Sequence, residues 1–99
     1  MTVAVLSVEL YLPFSGSLKD KCMVLRRLKD RLGNQNVAVA EVAHVDLWQR
    51  AGLGIVTVAS SDQGAERTLR AALETIESLL ERAPDDRRAR ALRRRLRSD

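Results

Sequence analysis

The residues best suited to chemistry fall in one short string: His44, Asp46, Trp48, Gln49 and Arg50. On an extended strand His44 and Asp46 project to the same side, so the carboxylate could orient the imidazole as a general base. No nucleophile lies nearby in the sequence and no second acid–base partner is evident, so the string does not spell out an enzyme. One alternative is structural. His44, Asp46 and Gln49 then bond the backbone of a strand connection, while Trp48 plugs the end of a sheet. Another is recognition, with Trp48 stacking on a base and Arg50 gripping a phosphate.

Cationic side chains form two further candidates. Lys19 and Lys21 fall in the first turn expected of a helix, where lysine opposes the helix dipole at a cost of a few tenths of a kcal/mol. A bound anion, held also by free backbone N–H groups, would reverse that cost. By helical angle, Lys21 points towards the apolar arc, which also suits a lysine lying over a sheet edge. The string around them lacks the glycine-rich pattern of a phosphate-binding loop. The C-terminal tail is the second candidate. Residues 83–99 hold seven arginines and three aspartates, whereas residues 1–82 balance ten basic against ten acidic side chains. The tail therefore carries the whole net charge of +4. Arg88, Arg90, Arg93, Arg94 and Arg95 would bind phosphates by counterion release, with little sequence preference. A solvated helix or strand that aids solubility would look the same.

Composition narrows the remaining classes. Ninety-nine residues, 45% of them hydrophobic and 30% charged, suffice for one modest core. The apolar stretch at residues 2–12 is interrupted by Ser7 and Glu9 and is too short to span a bilayer. It also lacks the basic start of a signal peptide. One cysteine and one histidine predict neither a disulfide framework nor a metal site, and no cofactor motif is present. The expectation is a cytoplasmic protein without membrane contact.

Periodicity predicts the elements that position these groups. Residues 2–12 alternate, with Ala4, Leu6, Val8, Leu10 and Leu12 on one side and Val3, Val5, Ser7, Glu9 and Tyr11 on the other. After Pro13, Ser17 can cap a helix, with Asp20 at the capping-box position. Leu18, Cys22, Val24, Leu25, Leu28 and Leu32 share its apolar arc, and Gly33-Asn34 ends it. Residues 36–45 and 53–60 read as strands. Ser61-Asp62 starts a second helix that runs to about Arg82, with Ala65, Leu69, Ala72, Leu73, Ile76, Leu79 and Leu80 in its stripe. This order predicts an α+β fold: a ferredoxin-like split βαβ sandwich, its antiparallel sheet covered by two helices on one face. Right-handed crossover puts the third strand beside the first. The body is residues 1–83. The tail, residues 84–99, is expected to add an edge strand or a helix to the same domain, and sheet completion favours the strand.

Two strings carry a resemblance. Ser17-Leu18-Lys19-x-Lys21 and His44-x-Asp46-Leu47-Trp48-Gln49-Arg50-Ala51-x-x-Gly54 resemble the YlxP-like family, a bacterial domain of unknown function. The resemblance covers roughly residues 2–82. It implies a ferredoxin-like fold and genes that often lie among those for translation and ribosome maturation, with no established catalytic chemistry. Cys22, where family members often carry a basic residue, and the arginine-rich tail depart from the pattern.

Two functions are expected from these features. One is non-enzymatic binding of RNA or a ribosomal subunit. The other is a protein-interaction module, a homodimer or a partner complex, built on an apolar open sheet face of Val3, Val5, Tyr11, Val37 and Val39. That face has too few aromatics for the base-stacking sheet of a common RNA-binding module.

Overall fold

The structure, a computed structural model, describes residues 1–80 throughout and residues 90–98 as backbone. The elements follow in the order β1 (Thr2–Tyr11), α1 (Leu18–Leu32), β2 (Ala38–Ala43), β3 (Arg50–Ala59), α2 (Asp62–Leu80) and β4 (Arg90–Ser98). Every strand pairing is antiparallel and the strand order is β2-β3-β1-β4. This is the ferredoxin-like arrangement, with β3 beside β1. The boundary expected at 83–84 lies outside the described residues.

Each helix begins on a serine. Ser17 Oγ accepts the Asp20 N–H at 3.1 Å, and Asp20 Oδ2 accepts the Gly16 N–H at 3.0 Å. The aspartate, one carbon shorter than the glutamate usual here, thus reaches the residue before the cap. Ser61 Oγ accepts the Gly64 N–H at 3.1 Å at the start of α2, and Thr2 Oγ1 donates to Asp62 Oδ1 at 2.7 Å, tying that start to β1.

The core lies between the sheet and the helices. β1 contributes Ala4, Leu6, Val8 and Leu10, β3 contributes Ala51, Leu53 and Ile55, and α2 contributes Ala65, Leu69, Ala72, Ile76 and Leu80. The buried positions of α1 are Lys21, Leu25, Leu28 and Leu32. The expected stripe through Leu18 and Cys22 is therefore displaced by one position at the helix start, and both of those residues are exposed. A lysine occupies the place an apolar residue would normally take.

The face expectation for β2 is also corrected. Val39 lies opposite Ile55 and Glu41 opposite Leu53, both core residues of β3. Directly opposed residues share a sheet face, so Val37 and Val39 pack towards the helices, as their contact with the core cluster requires. Ala38 and Ala40 take the open face instead, opposite Val56 and Gly54.

Candidate nucleic-acid interface on the open sheet face

The face away from the helices is a grid set by strand register. Tyr11 of β1 lies between Arg50 of β3 and Arg90 of β4. The next rows are Gly52–Glu9–Arg93, Gly54–Ser7–Arg95 and Val56–Val5–Arg97, followed by Val58 opposite Val3. Arginine thus recurs along the β4 edge of the grid, while the β1 and β3 positions run from aromatic and basic at one end, through small and polar, to apolar at the other. The β1 members of this face are exposed or half-buried, in contrast to their buried neighbours. The register of β4 shifts once, at Glu9/Leu10. That bulge sets both Arg90 and Arg93 on rows of the open face although they are three residues apart.

Of the tail residues singled out by charge, Arg88 lies outside the described residues. Arg94 lies opposite buried Val8, on a row of the helix-covered side. Arg90, Arg93 and Arg95 lie on open-face rows, joined by Arg97, which the reading of the tail did not single out. Alternation within a strand is the signal that separates them: the tail's strand period assigns Arg93, Arg95 and Arg97 to one face.

The two lysines part company. Lys19 is exposed on the first turn of α1. Lys21 is 1% exposed and is no anion ligand. Its Nζ donates to the carbonyls of His44 at 2.9 Å, Val45 at 3.1 Å and Arg50 at 3.3 Å, and lies 2.8 Å from Glu41 Oε2. An ammonium offers three protons, and these partners engage them inside the protein. The lysine holds both ends of the β2–β3 connection against α1.

That connection, residues 44–49, is a tight turn and not a continuation of the strand. β2 ends at Ala43, and His44 adopts φ 60°, a left-handed conformation uncommon outside glycine. The Leu47 N–H closes the turn on the His44 carbonyl at 3.0 Å. The alternation that would set His44 beside Asp46 is therefore lost. The imidazole turns back over the sheet, and its Nε2 lies 2.6 Å from Glu9 Oε1. Glu9, far away in sequence, is the carboxylate partner, while Asp46 is exposed on the turn. Gln49 bonds backbone: its Nε2 donates to the Pro13 and Ser15 carbonyls at 3.2 and 3.4 Å, and its own carbonyl accepts the Leu12 N–H at 2.8 Å. Trp48 does not plug the sheet. It is exposed with Val45 and Leu47, and so is Arg50, two residues further on.

A cleft of about 210 Å³ opens on the grid between β1 and β2. Ser7, Glu9, Val42, Ala43 and Gly52 are among the residues that line it. Gly52, itself buried, carries no side chain for a steric reason. A Cβ there would lie 2.7 Å from the Ala43 Cβ, where the β2 register shifts. Among the described residues no group of three or more His, Cys, Asp or Glu could hold a metal ion. No helix among them is long and apolar enough to cross a membrane.

Comparison with known proteins places this geometry. The fold is similar to that of a de novo designed protein with ferredoxin fold, LFR1 1, solved by solution NMR. Its TM-score is 0.65 at 18% identity, over 98% of this chain and 86% of the design. A second design, Foldit4, matches with a TM-score of 0.55 at 11% identity, over 98% and 96% of the two chains. Identities this low speak for the fold alone. The uncharacterized protein YlxP of Bacillus subtilis (strain 168) is 41% identical over 68 residues, which are 68% of this chain and 74% of that protein. Residues 3–84 match the model of a family described as a protein of unknown function (DUF503). The chain belongs to the DUF503 family, of which YlxP is a relative.

Proposed function

We infer that this protein is a non-enzymatic RNA-binding domain that grips single-stranded or looped RNA across its open sheet face. The observation that carries this reading is the row Arg50–Tyr11–Arg90, continued along β4 by Arg93, Arg95 and Arg97. Arginine is the side chain suited to forked phosphate contacts, and an aromatic between two such positions offers a base a stacking surface. Exposed Trp48 lies two residues before Arg50, at the same end of the grid. The family resemblance, with genes beside those of translation, favours ribosomal RNA as the natural ligand. Lys21 takes no part, being engaged internally, and Lys19 remains a peripheral contact.

Fluorescence anisotropy with a labelled single-stranded RNA tests the reading. Five phosphate contacts, one for each of these arginines, give a slope of about −3.5 for log K against log salt, or roughly 130-fold weaker binding between 50 and 200 mM salt. Absence of binding at low salt, or affinity indifferent to salt, contradicts it.

A second reading rests on a different observation. Val42, Val45, Leu47 and Trp48 are all about half exposed or more, an apolar run unusual on a free surface. Together with Val3, Val5 and Val58 they suit self-association or a protein partner. Sedimentation across the micromolar range decides it. A dimer that Val5→Asp disperses supports this reading, and a monomer throughout contradicts self-association.

A further inference from the structure

We propose that the cleft lined by Ser7, Glu9, Val42 and Gly52 seats a single unstacked nucleobase of the RNA strand. This inference rests on the RNA-binding reading and adds a base-recognition subsite to it. Four features of the cleft carry it.

Size comes first. At about 210 Å³ the cleft lies below the roughly 300–1,000 Å³ of sites that enclose a whole drug-sized ligand or cofactor. It suits one planar ring system whose remaining atoms stay outside. Gly52 is the second feature. Because Ala43 crowds the Gly52 position, no side chain fits there, and the recess between Glu9 and Val42 stays open.

The walls are the third. Val42 supplies an apolar side and Ser7 a hydroxyl that can both donate and accept, which suits the mixed edge of a base. Glu9 is held in place by His44, so the polar side of the cleft is preorganised. The left-handed backbone at His44 is the local distortion that allows this contact, and such outliers concentrate at ligand sites.

The fourth is position. The β1 wall residues Ser7 and Glu9 lie in register with Arg95 and Arg93 of β4. A base resting over β3 therefore lies two strand spacings, about 10 Å, from the arginine-bearing edge. The arginine positions of β4 lie beyond β1 from the cleft, on the same sheet face by register.

The test compares a short single-stranded oligoribonucleotide with an abasic oligomer of the same length, by anisotropy at low salt, for the wild-type protein, Ser7→Leu and Val42→Phe. Both substituted side chains lie on the open face and the replacements fill the cleft without touching the core. The wild type is expected to bind the base-bearing strand roughly tenfold more tightly than the abasic one. Each variant is expected to lose the part of that preference that stacking on Tyr11 does not supply, while keeping its abasic affinity. A preference that survives undiminished in both variants overturns the subsite and leaves the proposed function standing, whereas equal binding of both oligomers by the wild type overturns the subsite and the stacking role of Tyr11 and leaves only the phosphate contacts. Failure to bind either oligomer overturns both.

Discussion

The ammonium of Lys21 and the carboxylate of Glu41 lie 2.8 Å apart, on α1 and β2, with the lysine fully enclosed. The same ammonium also holds the carbonyls of His44, Val45 and Arg50. One side chain therefore determines where the β2–β3 turn sits, and with it the positions of His44 and Arg50 on the open face.

Removing that side chain is costly because its partners stay buried. Lys21→Ala is expected to destabilise the fold by about 3–5 kcal/mol, the range for breaking an enclosed ion pair from one side. Adding Glu41→Gln should recover part of the loss, since the uncompensated carboxylate is then gone. Lys19→Ala, on the exposed side of the same turn, should stay within about 0.5 kcal/mol. Urea unfolding of the four proteins measures this, and similar losses for the two lysines would contradict it.

Gly52 is expected to resist substitution. The added methyl of Gly52→Ala meets the Ala43 Cβ at 2.7 Å, an overlap expected to cost about 1–3 kcal/mol. Because a single side chain causes the conflict, Ala43→Gly in the same protein should relieve it. Thermal unfolding of the single and double variants checks the pairing.

The caps make a separable contribution. Ser17→Ala loses the acceptor for the Asp20 N–H and should cost about 0.5–2 kcal/mol. Ser17→Asp, which keeps an acceptor, should stay close to the wild type by the same denaturant titration.

Most of the fold was legible from period alone. Strict alternation over residues 2–12 and the stripe Leu69, Ala72, Ile76 and Leu80 assign faces without tertiary information. The tail was harder, since its arginines, alanines and leucines favour helix, and only pairing with β1 makes it a strand. Faces of β2 were misread because Val37 and Val39 look like an exposed apolar pair until the register sets Val39 opposite Ile55. The candidate site was least legible. Lys21 reads as a surface cation by residue type, and only its helical angle hints at burial. Glu9 could not be matched to His44 from spacing, because their contact spans thirty-five residues and depends on a left-handed turn.

The central claim is that the open-face arginines of β4 hold phosphates. The most direct measurement is the salt dependence of RNA affinity for the wild type and for the triple variant Arg93→Ser, Arg95→Ser, Arg97→Ser. Loss of three contacts should make the slope of log K against log salt shallower by about 2 and weaken low-salt binding accordingly. A triple variant with an unchanged slope and affinity, its fold verified by circular dichroism, would contradict the account.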